Sequence, residues 1–184
     1  MSTALIIVDI QNDYFPNGKM ELSNPEKGAA NAAKVLDWFR QNHKDNIFHV
    51  QHIASDPGLG FFLPDTEGVE IHEAVLPLEN ENIIIKHFPN SFLQTELESK
   101  LKEKKVTKVV VVGMMTHMCI DATVRAAVDL GYETTLIEDA CATRDLSYHG
   151  KVVPAEMVHY AFVSALESMY CDVKSTEEFL QQKS

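Results

Sequence analysis

Residues 4–8 (ALIIV) and 109–112 (VVVV) are apolar at every position, with no polar alternation. Such runs suit short strands buried on both faces, as in a parallel sheet. Residues 46–53 (NIFHVQHI), 83–85, 134–137 and 171–173 predict four further strands. Helical spacing fills the intervals. Asn24 followed by Pro25 opens a helix to about residue 43, with Ala29, Ala33, Leu36 and Trp38/Phe39 on its buried face. Ser91 with Gln94 forms a capping box for a helix to about residue 104, and Thr116 caps another on which Ile120, Val124, Ala127 and Val128 recur until Gly131. Pro154 opens a helix through residue 169, and Ser175 with Glu178 caps a terminal one. Residues 55–78, with Pro57, Gly58, Gly60, Pro64, Gly68 and Pro77, predict a long loop with no regular element of any length, and residues 140–153 a second, polar loop. Alternating buried strands and helices predict an α/β fold in one domain over 1–184: a doubly wound, mostly parallel six-stranded sheet with helices on both faces, Rossmann-like.

Composition narrows the partners more than the chemistry. With 184 residues, 45% hydrophobic and 23% charged, the chain resembles an ordinary globular protein with one sizeable core. A formal net charge of −11 argues against nucleic acid or an anionic membrane surface as a partner and says little about a small substrate. Three cysteines, an odd number, together with no visible signal peptide and no membrane-length apolar run, predict free thiols in a reducing cytoplasm. The first strand runs into DIQNDYFPNG rather than GxGxxG, and GxxxxGK[ST] is absent, so the common nucleotide signatures are missing and no cofactor is expected.

In an open α/β sheet, sites form at the carboxyl ends of the strands. Three reactive side chains stand at such ends: Asp9 after the first strand, Lys86 after the third and Cys119 just beyond the fourth. Alone, each has an ordinary structural explanation. Together they supply a base, a cation and a nucleophile on one rim. Cys119 would fall in the first turn of a helix, where free N–H groups and the positive dipole end favour a thiolate and can hold an oxyanion. His117, two residues away, would point elsewhere and is the weaker candidate base. His49 and His52 are three apart in a strand and so face opposite sides. Cys141 and Cys171 are expected to be structural.

At this point the chain resembles the isochorismatase-like cysteine hydrolases, a group that includes nicotinamidases and N-carbamoylsarcosine amidases. The likeness is carried by LIIVDIQNDYF (5–15), IIIKHFPNSF (83–92), GMMTHMCIDATVRAA (113–127) and EDACAT (138–143). It implies a catalytic triad of Asp9, Lys86 and Cys119, an oxyanion hole from the amides of Met115 and Cys119, and a non-proline cis peptide at Met114–Met115. Nicotinamidases of the group carry a metal site of the form Asp-x-His plus a further His after the second strand. Here that region reads HVQHIASDPGLGFF, where His52 and Asp56 have the wrong spacing and the following His is missing, so no metal is expected. Isochorismatases proper lack the nucleophilic Cys, so its presence points to acyl transfer. The expectation is therefore hydrolysis of a small non-peptide amide or ureide through a thioester. A vinyl-ether (isochorismate-type) hydrolase and a non-catalytic binding module of the same fold are the alternatives, and the absence of Cys-x-x-Cys argues against a thiol redox role. Tyr14, Phe15, Phe61 and Phe62 are candidate pocket walls. The resemblance also implies a homo-oligomer, dimer or tetramer, with the Phe61-Phe62-Leu63 cluster as a candidate contact.

Overall fold

The computed structural model of the protein describes residues 2–182. Its elements in order are β1 (Ser2–Val8), α1 (Pro25–Asn42), β2 (Ile47–His52), β3 (Asn82–Lys86), α2 (Leu97–Glu103), β4 (Val106–Met114), α3 (Asp121–Asp129), β5 (Glu133–Ala142), β6 (Leu146–Tyr148), β7 (Lys151–Val153), α4 (Ala155–Met169), β8 (Asp172–Lys174) and α5 (Thr176–Gln182). Six strands form one sheet in the order β3-β2-β1-β4-β5-β8, every neighbouring pair parallel. This is the doubly wound sheet expected from the alternation of buried strands and helices. Leu5, Ile7, Val110, Val112 and Ile137 face one core with α1 and Phe179 of α5. Ala4, Ile6, Val8, Val109, Val111 and Leu136 face the other, with Leu97, Leu101, Val124 and Leu166 of α2, α3 and α4. Both faces are covered, which is why these strands are apolar at every position.

Several local expectations are corrected. The Ser91/Gln94 capping box does not form. Ser91 Oγ lies 2.8 Å from Thr123 Oγ1 of α3, Gln94 has φ +56°, and the helix begins only at Leu97. Packing onto α3 outweighs the local cap. The Ser175/Glu178 box does form, with Ser175 N–H donating to Glu178 Oε2 (2.8 Å) and Glu178 N–H to Ser175 Oγ (3.2 Å). Gly113 does not end the fourth strand. A Cβ there would sit 2.0 Å from the Val8 carbonyl oxygen, so glycine lets β4 pair with β1 up to Val8 and run on beside β5 to Met114. The fifth strand likewise continues beyond residue 137, through a register shift, to Ala142. Residues 146–153, expected as loop, form the β6–β7 hairpin, because His149 and Gly150 both take positive φ (+48° and +75°), as a tight two-residue turn requires. In 55–78 only single 3-10 turns interrupt the loop. Within its aromatic cluster Phe62 is fully buried, 4.7 Å from the Tyr14 ring, while Phe61 and Leu63 stay partly exposed.

A buried polar latch ties α1 to the edge of the sheet. Arg40 Nε and Nη2 donate to the two oxygens of Glu81 at 2.8 and 2.9 Å, Leu78 N–H donates at 2.9 Å, and His49 Nε2 lies 2.8 Å away. Burial raises the Glu81 pKa, but these donors outweigh it and hold the carboxyl down at about 2, from a usual 4.5. A carboxylate with a depressed folded pKa stabilises above its unfolded pKa and loses that contribution as pH falls toward the folded value. Glu81→Gln is therefore expected to cost about 2 kcal/mol at neutral pH, by weakening the hydrogen bonds that Arg40 and Leu78 N–H make to a charged acceptor. It should also remove the stability decline between pH 4.5 and 2 attributable to this group. Urea titrations of both proteins across that range test this, and equal midpoints at pH 7 would show the latch to be dispensable.

Candidate active site

β1 and β4 are neighbours at the point where the strand order reverses, and their carboxyl ends open a crevice there. β1 delivers Asp9, β3 delivers Lys86, and the turn after β4 delivers Cys119. The three come together and are nearly inaccessible, Asp9 and Lys86 completely so. Lys86 Nζ stands 2.8 Å from Asp9 Oδ2 and donates to Cys119 Sγ at 3.3 Å, to the Phe88 carbonyl at 3.0 Å and to His52 Nδ1 at 2.8 Å. Neither Asp9 oxygen accepts a well-aligned hydrogen bond, so the carboxylate contacts the ammonium as an ion pair and keeps lone pairs free.

The turn carrying Cys119 differs from the expected helix start. Met114–Met115 is a cis peptide, residues Thr116–Ile120 form one π-helical turn, and α3 begins only at Asp121. Thr116 does not cap. Its hydroxyl lies 2.9 Å from His159 Nδ1 of α4 and donates, at 3.4 Å, to the Ala142 carbonyl. Met115 N–H has no partner among the described residues, and Ile120 N–H donates to the Met115 carbonyl at 3.2 Å. His117 Nδ1 lies 2.6 Å from Thr143 Oγ1, tied to the end of β5 rather than to the thiol.

The electrostatic balance also differs from expectation. Burial pushes the Cys119 thiol pKa well up, Asp9 adds to the rise, and Lys86 opposes it without cancelling it. Any help from a helix terminus is outweighed, so the thiol is held above its ordinary pKa. Burial pulls the Lys86 ammonium down, but Asp9 and then Cys119 outweigh it, so its pKa is raised. His52 is lowered to about 4, by burial first and by Lys86 second.

Cys119 opens on a cleft of about 590 Å³ whose walls include Tyr14, Met20, Phe61, Met118 and Arg144. Tyr14 and Phe61 are thus pocket walls, whereas Phe15 and Phe62 are core residues behind them. Phe15 stacks on His72 at 3.6 Å. The sequence reading missed Arg144, whose Nε is buried without a partner. The available signal was its place directly after EDACAT. It also missed Gln11, two residues past Asp9, whose side chain accepts from His52 N–H (2.8 Å) and donates to the His52 carbonyl (2.9 Å). Asp56 at the rim accepts from Gly58 N–H. Asp9, His52 and Cys119 bring ligand-type atoms within 4.8 Å of one another. The Lys86 ammonium already stands among them, in contact with all three, so a divalent ion would meet a fixed positive charge. The residues do not fit a metal.

Comparison with known proteins agrees with this architecture. The family model for the isochorismatase domain matches residues 3–177. The uncharacterised isochorismatase family protein YddQ of Bacillus subtilis (strain 168) is 60% identical over 98% of this chain and 100% of its own. The crystal structure of an isochorismatase from Pseudomonas putida KT2440 superposes with a TM-score of 0.89 at 35% identity, covering 96% of this chain and 89% of that one. That of a cysteine hydrolase from Pseudomonas syringae pv. phaseolicola gives 0.91 at 25% identity, covering 97% and 91%. The chain belongs to the isochorismatase family of hydrolases.

Proposed function

We propose that the protein hydrolyses a small non-peptide amide or ureide through a thioester on Cys119. The observation that carries this reading is the buried juxtaposition of thiol, ammonium and carboxylate, with Lys86 touching both partners. Asp9 takes the thiol proton as sulfur attacks the carbonyl carbon. The tetrahedral oxyanion is received by the N–H groups of Met115 and Cys119, the first of which has no competing acceptor. Collapse breaks the C–N bond, and Asp9 returns the proton to the departing nitrogen. Water, deprotonated by Asp9, then cleaves the thioester and restores the thiol. The upward shift of the Cys119 pKa by burial fits a proton transfer to Asp9 that accompanies attack on the carbonyl.

The experiment is a panel of small amides and ureides assayed for ammonia release. Arg144 gives the cleft a guanidinium, so substrates carrying a carboxylate belong first in it. Activity is expected to survive exhaustive treatment with EDTA, since the ammonium occupies the one place where donors converge among the described residues. Loss on chelation, with recovery on adding back one metal, would overturn metal independence. A vinyl-ether substrate turned over without a trapped acyl-enzyme would overturn the thioester route.

A further inference from the structure

His52 has no part in the mechanism above, yet it is held as firmly as the three residues that do. Gln11 clasps its backbone on both sides, and Gln11 Nε2 is in turn anchored to the Val69 carbonyl at 2.7 Å. A buried glutamine holding one residue by both its N–H and its carbonyl fixes that residue's backbone, from which the ring reaches Lys86. The ring brings Nδ1 to 2.8 Å from Lys86 Nζ. An ammonium has hydrogens and no lone pair, so Nδ1 must be the acceptor. The imidazole is then neutral and carries its proton on Nε2. That nitrogen has no partner among the described residues, and the ring forms part of the cleft wall beside Cys119.

We infer that His52 is the positioning residue of this centre: as the neutral Nε2–H tautomer it takes one Lys86 hydrogen at Nδ1, steering the ammonium toward Cys119 and Asp9, and it presents Nε2–H to the substrate. The three ammonium hydrogens then go to His52, the Phe88 carbonyl and Cys119. Without His52 the ammonium is free to turn toward the cleft, and its hold on the sulfur loosens. The charged and titratable groups around the ring are Lys86 on β3, Asp9 after β1, His87 beside Lys86 and Cys119 in the π-helical turn. Burial and Lys86 disfavour a second proton on the ring, and Asp9 alone favours one. The substrate class follows from the free Nε2–H: an amide bearing a hydrogen-bond acceptor close to the scissile carbonyl. This deepens the proposed function and rests on it only for its substrate part.

Two substitutions separate the roles. In His52→Asn the Oδ1 atom replaces Nδ1 as acceptor and the Nε2–H donor is lost. In His52→Leu both are lost. The pH dependence of Cys119 alkylation by iodoacetamide reads the hold on Lys86 without any substrate. His52→Leu is expected to move its midpoint up by about one unit, while His52→Asn leaves it within about 0.3 of a unit. With a substrate from the panel, His52→Asn should raise KM about tenfold, the value of one lost hydrogen bond, with kcat changed far less. Nitrogen-15 NMR of histidine-labelled wild-type protein tests the tautomer even if a variant fails to fold. His52 is expected as Nε2–H, without titration between pH 5 and 8. A His52 signal titrating near its ordinary value, an Nδ1–H tautomer, or an unmoved alkylation midpoint in folded His52→Leu would each overturn the inference. Because alkylation and NMR need no turnover, failure of the hydrolase reading leaves these results interpretable.

Discussion

Cys119→Ala is expected to abolish ammonia release, by about 10⁴-fold or more, while the protein stays folded. The size of the effect follows from the covalent route. With no sulfur, Asp9 and the Met115 amide have no nucleophile to serve, and water would have to attack an unactivated amide. The fold should tolerate the change because alanine fits wherever cysteine does, and the cost is expected to be about 1 kcal/mol. Cys141 and Cys171 provide the controls. Cys141 is buried, its Sγ donating to the Ile137 carbonyl at 3.4 Å, and burial pushes its pKa far up. Burial pushes Cys171 up to about 11. Neither lines the cleft beside Cys119. Their alanine variants should keep turnover within about threefold, as expected for substitutions that touch no reacting atom. The check is ammonia release by the three variants alongside thermal melts. Turnover retained in Cys119→Ala would end the covalent mechanism.

The second large effect is expected from Lys86→Met. Lys86 is the cation that opposes the burial and the Asp9 charge acting on the thiol. Removing it leaves the factors that raise the thiol pKa and takes away the one that lowers it. The midpoint of iodoacetamide alkylation should therefore move upward, and turnover should fall by about 10²-fold or more, the scale of one acid–base function. A second consequence is structural. Asp9 would be left completely buried without its counter-charge, which typically costs about 3–5 kcal/mol. Melts must accompany the kinetics, so that activity is read only where the variant is folded. Lys86→Arg should rescue only in part, because a planar guanidinium does not fit a position where one nitrogen serves three hydrogen-bond acceptors and pairs with Asp9. If Lys86→Met ends turnover but leaves the alkylation midpoint unmoved, Lys86 acts by placing Asp9 or the substrate, and the electrostatic account fails.

Both predictions begin from residues that could be picked out before any coordinates. Asp9, Lys86 and Cys119 stand at or just past strand ends, and a parallel sheet collects its strand ends on one rim. Which strands would be neighbours was not legible. The order β3-β2-β1-β4 depends on how the crossovers pack, and it is this order that puts β1 beside β4 and brings Lys86 across from β3. The same limit explains Phe62. Its sequence neighbours suggest an exposed aromatic cluster, but Asp13, 49 residues earlier, accepts its backbone N–H at 2.6 Å and draws it under Tyr14.

By itself the sequence determined the α/β class, the two-sided burial of the central strands, the main helices and the three chemical groups of the site. Each of these is written in local periodicity, in strand-end residues or in a cap such as Ser175/Glu178, so neighbouring residues suffice to read it. Only the tertiary structure decided that the Ser91 hydroxyl meets Thr123, that Thr116 turns to His159 instead of capping, and that burial raises the thiol pKa. It also placed His52 between Gln11 and Lys86, partners 41 and 34 residues away. The physical reason is common to these cases. A side chain's hydrogen-bond partner and its desolvation depend on which distant segments pack against it, and once burial removes water those contacts outweigh the local preferences that a sequence displays.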